Sequence, residues 1–367
     1  MLRPLFYSLI FVLWSSVSFG QIRDPREVNQ SWNTDTLEAE VPLDEFLCLL
    51  PRDGIPPIDD PYFVDGAKAL VLGIPQEPVI VVERDGEAKA YPLSILMFHE
   101  IVNDRIGGLG ITVTFCPLCH ASIVFDRNLD VNGQPLELDF GVSGMLRHSD
   151  LVMWDRQTES WWQQMTGRAI VGELSGQELT ILPSEITSLE DFVQFYPQGR
   201  VLQSKADNSY GSNPYHHYDS LGKKPFLFHG EVDDRLPPTE YVVNLYGQRI
   251  PKVYLLSVIQ NQHLIQDQHE GQGILLLHES GQLSVMDEKE IRESKDLGKI
   301  AVFDPGEDTF LWKEGAIHDE RSQSIWNHRG QCISGDRKGE QLNRLAYGVH
   351  FAFAWLNFYP NSQIYGQ

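Results

Sequence analysis

The residues best suited to chemistry are five in a row: Cys116, Pro117, Leu118, Cys119 and His120. A Cys-x-x-Cys turn brings two sulfurs close enough for a disulfide or for one shared metal ion. Pro117 fixes its own φ and removes a backbone donor, which stiffens that turn. Three chemistries suit the pattern. CxxCH is the spacing of c-type haem attachment, with the thiols on the vinyl groups and His120 on the iron. It is also half of a thiolate metal site, which then needs further ligands from elsewhere. Finally, it is a redox dithiol. The purely structural alternative is an inert disulfide stapling a hairpin.

The flanking residues say how the turn is held. Ile111–Phe115 and Ala121–Phe125 are apolar, β-branched and aromatic, so they read as strands with the cysteines at the turn between them. Upstream, Val79–Val82 and Ala88–Tyr91 flank Arg84, Asp85 and Gly86 as a hairpin. Pro92 then opens a helix, in which Leu93, Leu96, Met97 and Ile101 recur at helical spacing and His99 and Glu100 fall near the end. Downstream, Phe140–Ser149 reads as a Gly-rich connection that lacks the spacing and lysine of a P-loop. Asp155 and Glu159 form either a carboxylate pair or a turn network with Arg156. Ser188–Tyr196 reads as a short amphipathic helix.

The chain begins as an exported protein does. Arg3, an apolar run from Leu5 to Trp14, and Ser18, Phe19 and Gly20 before Gln21 match a secretory signal peptide over residues 1–20. This points to a periplasmic or secreted protein. No later stretch approaches the ~18 apolar residues of a membrane span, so no stable membrane insertion is expected after cleavage. The formal net charge of −22 argues against nucleic acid or anionic membrane as partner. Cys48 and Cys332 are the remaining cysteines, and an oxidising compartment permits them to pair.

Sliding the chain against itself by 163 positions aligns Tyr91 with Tyr254, Ser94 with Ser257, Asp104 with Asp267 and Phe140 with Phe303. Gly167, Ile170, Gly172, Gly176 and Leu179 meet Gly330, Ile333, Gly335, Gly339 and Leu342, and Phe195, Tyr196 and Pro197 meet Phe358, Tyr359 and Pro360. A one-residue shift adds Asp155 with Asp319 and Trp162 with Trp326. A constant offset over so long a span reads as duplication. The expected organisation is an extended lead-in over 21–60, a first lobe over 61–203, a linker over 204–238 and a second lobe over 239–367. Opposite the CPLCH turn the second copy carries Glu279, Gln282 and Leu283, and opposite His99 it carries Gln262. A fold that forms without thiols does not need them, so Cys116 and Cys119 call for another reason.

Several stretches together resemble the bacterial and archaeal domain-of-unknown-function family 3179. They are CPLC at Cys116–Cys119, FGVSG at Phe140–Gly144, DRQTESWW at Asp155–Trp162, NPY at Asn213–Tyr215, PFLF around Phe226, RLPP at Arg235–Pro238 and FAWLNFYP at Phe353–Pro360. The resemblance implies a secreted or periplasmic protein with a CPLC turn, and brings no activity with it. The position after the second cysteine looks small or polar in relatives. His120 departs from that, which counts against haem.

The expected fold is α+β and strand-rich, in two tandem repeated lobes with a few short helices. The expected function is binding of a soft or borderline ion, Cu(I) or Zn(II), through Cys116 and Cys119, with His120 or His99 as further ligand. Met145 is an outside candidate if the ion is copper, with packing as its plainer role. His216 and His217 are adjacent and would point apart on a strand. The alternatives are a periplasmic thiol–disulfide oxidoreductase and a non-catalytic interaction module.

Overall fold

The computed structural model describes residues 32–205 and 212–367; the expected leader and the start of the lead-in lie outside the described residues. The α+β, strand-rich architecture is observed. Five α-helices occur among the described residues, and each is one short seven-residue segment at the end of a strand. No helix among those residues is long and apolar enough to cross a membrane.

The expected hairpin and strand–turn–strand of the first half form, but the helix stops at His99: Glu100 turns the chain at φ 57°, and Ile101, expected in the helix, opens a strand. Strands Pro78–Arg84 and Glu87–Pro92 make a hairpin, followed by helix Leu93–His99 and strands Ile101–Ile106, Leu109–Cys116 and Ala121–Asp126. Ser188 caps helix Leu189–Phe195 by accepting a hydrogen bond from Asp191 N–H. The second half has the same element order except that it lacks the small hairpin Asn128–Val131 and Gln134–Glu137. Helix Leu256–Gln262 and strands Leu264–His269 and Gln272–Glu279 correspond in length and position to Leu93–His99, Ile101–Ile106 and Leu109–Cys116. Side-chain contacts correspond too. Tyr91 and Lys89 both donate to Asp104, as Tyr254 and Lys252 do to Asp267. Trp162 Nε1 donates to Asp155 at 2.8 Å, and Trp326 Nε1 to Asp319 at 2.9 Å. Asp155 is therefore a turn organiser, while Glu159 faces away to Asn33 N–H and Arg52.

The halves differ also in the length of a second hairpin. In the first half it is long: Phe140–Arg147, eight residues, against Asp150–Asp155, six. In the second half the two strands, Phe310–Lys313 and Ala316–Asp319, have four residues each. The stretch read as a Gly-rich connection is thus a strand with a bulge between Val142 and Met145. Gly144 sits there at φ +77°, and its carbonyl accepts from Leu49 and Leu50 N–H. A Cβ on Gly144 would lie 2.1 Å from the Leu50 carbonyl oxygen, so only glycine fits. The bulge re-aims the hairpin, and its extra length carries the tip over to the CPLC turn.

The halves pack reciprocally. Strand Ala121–Asp126 meets Tyr347–Phe351, and Lys299–Asp304 meets Glu185–Ser188. One apolar core runs through both, from Ile80 and Phe115 to Tyr254 and Trp355. The connecting segment packs inward: Asn213 and Asp219 are buried, and Tyr215 and Tyr218 lie against the core.

Helix Leu93–His99 is anchored at its start by Ser94 Oγ, which donates to Glu77 Oε2 at 3.1 Å. Burial raises the Glu77 carboxyl from 4.5 to about 7. The folded state thus keeps a proton that the unfolded chain has already lost, so stability should fall as pH rises from about 4.5 to 7. Urea denaturation of Glu77→Gln across that window should show a flatter profile than wild type, with a difference of up to about 3 kcal/mol.

Candidate functional site

Cys116 ends strand Leu109–Cys116, Pro117–Cys119 forms a single 3-10 turn, and Ala121 opens the return strand opposite Cys116. His120 closes the turn in the left-handed region at φ 50°, with its N–H on the Pro117 carbonyl. The strand–turn–strand expected from the sequence is therefore present. No cysteine of the four is in a disulfide. Cys48 lies in an edge strand beside Met145, and Cys332 is buried in the second half with its sulfur 3.4 Å from Ser334 O, so the two do not pair.

The two sulfurs gather oxygen. Cys116 Sγ lies 3.7 Å and Cys119 Sγ 3.4 Å from the Ser149 carbonyl oxygen. Both sulfurs and one carboxylate oxygen of Asp150 lie within 4.8 Å of one another, and this is the one such group of potential metal ligands found among the described residues. Ser149 and Asp150 come from the tip of the long hairpin. There His148 and Ser149 both have positive φ, 53° and 65°, the geometry of a tight two-residue turn that usually takes Asn and Gly. The matching turn of the second half does use a glycine, Glu314–Gly315. A non-glycine pair held there is strained backbone at the point that meets the thiols.

Asp150 is divided between two duties. Its Oδ2 accepts from Gln163 Nε2 at 2.6 Å and from Met165 N–H at 2.9 Å. Its Oδ1 is buried without a hydrogen-bond partner. A buried acceptor left unmade is costly and usually marks an absent ligand, ion or water. Glu100 is the fourth acidic group of the corner. It follows helix Leu93–His99 at φ 57°, is buried, and its charge is felt at Asp150, Cys116 and Tyr215.

Burial dominates the electrostatics. It pushes Asp150 up to about 6, although the bonds from Met165 and Gln163 hold it down. Burial, with repulsion from Asp150, lifts Glu100 to about 8. Both thiols are pushed up by the same desolvation, Cys119 most strongly. Two carboxyls and two thiols are crowded into a dry corner with no lysine or arginine paired to them, and burial holds all four toward their neutral forms. Protons can discharge that corner, and so can one cation.

The histidines expected as ligands stand elsewhere. His99 Nδ1 faces the Pro56 carbonyl at 2.8 Å, and His120 Nδ1 faces the Val349 carbonyl at 3.3 Å. His120 is buried among Phe115, Tyr241 and Phe351, with its pKa lowered to about 4 by burial. Neither belongs to the Cys116, Cys119 and Asp150 group. Met145 packs with Phe46, Trp154 and Trp161, and His216 and His217 are exposed. The place of Asp150 beside the thiols, and of Glu100 near them, was not foreseen. The available signal for Asp150 was an acidic residue opening the apolar run Leu151–Trp154, immediately after the stretch read as a connection.

The connecting segment roofs the corner. Ser149 Oγ donates to the Phe226 carbonyl at 2.7 Å, and Phe226 N–H donates to Tyr218 Oη at 3.2 Å. Helix Ala352–Phe358 of the second half packs on the Pro117–Cys119 turn. Cys116 is 2% exposed and Cys119 and Asp150 are 0% exposed. Iodoacetamide should therefore alkylate Cys116 and Cys119 in the native protein at least about a hundredfold more slowly than an open thiol, and at ordinary rates in denaturant. Peptide mass spectrometry over a time course would read this, and rapid native labelling would contradict the sealed geometry.

No curated protein and no solved structure matches this chain. A family model, described as a protein of unknown function (DUF3179), matches residues 52–362, which include the thiol turn, the long hairpin and both halves of the fold. The chain belongs to the DUF3179 family.

Proposed function

We propose that this is an exported metal-binding protein whose ion, zinc in first place, is held by Cys116, Cys119 and Asp150. The observation that carries the reading is the buried cluster itself: the two sulfurs and a carboxylate oxygen of Asp150 all lie within 4.8 Å of one another. Zinc takes thiolate and carboxylate ligands together in four-coordinate sites. Cu(I) favours sulfur alone, so the carboxylate tilts the choice toward zinc. A divalent cation would offset the charge of two thiolates and a carboxylate in a dry interior, where each alone is disfavoured. Glu100 is the candidate for the fourth position, in place of the histidines.

Several features support this reading over the alternatives. A thiol–disulfide exchanger needs an accessible, low-pKa thiolate, whereas these thiols are buried and their pKa values are raised. A haem reading needs His120 as axial ligand, yet its Nδ1 faces a carbonyl and its ring is enclosed by aromatics. An oxidising compartment would close two adjacent thiols into a disulfide unless burial or a metal protected them. We read the halves as two copies of one unit, of which the first carries the ion.

Protein purified without chelator should carry about one equivalent of zinc by elemental analysis. Cys116→Ser and Asp150→Ala should each lose it, while His99→Gln and Met145→Leu should keep it. Added zinc should also raise the melting temperature of metal-stripped wild type but not of Asp150→Ala. Failure of wild type both to retain an ion and to be stabilised by one would overturn the reading.

A further inference from the structure

The second half replaces the compact CPLC turn with a long loop between strands Gln272–Glu279 and Lys299–Asp304. Two histidines lie beside it, at positions where the first half has Glu100 and Phe115: His263, just past helix Leu256–Gln262, and His278, in strand Gln272–Glu279. The shared fold thus needs an imidazole at neither position.

His278 has the preparation of a metal ligand. Its Nε2 lies 3.2 Å from the Leu297 carbonyl oxygen. A carbonyl only accepts, so Nε2 carries the proton and Nδ1 keeps its lone pair. That Nδ1 is buried with no hydrogen-bond partner, and the residue is 8% exposed. Fixing one ring nitrogen on a carbonyl so that the other is free to ligate is the usual outer-shell arrangement of metal-bound histidine. Gly298 permits it: a Cβ there would lie 2.0 Å from His278 Nε2.

His263 supplies the second ring. It is exposed, and it stacks on Trp312 at 4.6 Å with an interplanar angle of 28°. Stacking covers its face and leaves its nitrogen-bearing edge open. The His263 and His278 ring centroids are 6.5 Å apart. Two imidazoles on one ion stand roughly 5–6 Å apart, given metal–nitrogen bonds of about 2.0 Å. The observed separation is within about an ångström of that range, and His263 lies on the exposed side, where its side chain can adjust. Glu279 and Asp296 add negative potential around His278.

We propose that His263 and His278 form a second metal site, reached from the exposed His263 side, for a borderline divalent ion of the Cu(II), Ni(II) or Zn(II) class, with water completing its coordination. Imidazole nitrogen suits these ions, and the site differs in kind from the buried sulfur corner. It does not rest on the reading of that corner.

The test uses the full chain carrying Cys116→Ser and Cys119→Ser, so that the thiols contribute nothing, with Cu(II) as the probe. One equivalent should bind with nitrogen hyperfine structure in its electron paramagnetic resonance spectrum and should quench the fluorescence of Trp312, as comparison with Trp312→Phe would show. His278→Phe, which installs the residue the first half carries, should weaken binding by roughly tenfold or more. His263→Ala, on the surface and outside the core, should do the same and guards against misfolding of the other variant. Copper affinity and spectrum unchanged in both variants would overturn the proposal.

Discussion

The thiol corner depends on one long-range contact: the tip of the hairpin Phe140–Asp155 resting on the turn Pro117–Cys119. A single residue, Ser149, joins three elements there. Its carbonyl receives both thiols, its hydroxyl holds the roof segment through Phe226, and the next residue presents Asp150. Strained backbone at His148 and Ser149, the close approach at Gly144 and the reciprocal packing of the halves all serve to hold that tip in place. Remove the tip and two sulfurs remain on a hairpin, with no third donor.

The comparison between halves separates what the fold requires from what it merely carries. Contacts present in both, such as Tyr91 and Tyr254 on their aspartates or Trp162 and Trp326 on theirs, position strands and turns. The departures are chemical. The first half carries Cys116, Cys119, Asp150 and Glu100, while the second carries His263 and His278. At the thiol corner the first half buries acids and thiols without cations, whereas charges at the seam between the halves are paired. Lys299 bonds Asp191 and Glu279, and Glu185 takes Arg329 and Arg344. A satisfied ion-pair network is a structural device, and a corner of buried acids without a cation is not.

Much of this was legible in the sequence, but only up to local order. Hydrophobic periodicity gave the strands around the cysteines and the helix after Pro92, because those signals are set within a few residues of where they act. The ligand set was not legible. His99 and His120 were expected by proximity in sequence, yet the chain turns at Glu100, φ 57°, so that Glu100 rather than His99 joins the buried acids of the corner. Asp150 arrives from another sheet through tertiary packing, and nothing in its neighbours announces that journey. The bulge at Gly144 hid it further, since two glycines in Phe140–Ser149 look like a connection until their strand partners are known.

X-ray absorption at the zinc edge of the loaded protein directly measures the mixed sulfur and oxygen shell proposed for Cys116, Cys119 and Asp150. Two sulfur scatterers near 2.3 Å with oxygen or nitrogen near 2.0–2.1 Å are the predicted result, with the shell losing a light scatterer in Asp150→Ala. A shell without sulfur, or one of four sulfurs, would contradict the assignment of the ion to Cys116, Cys119 and Asp150.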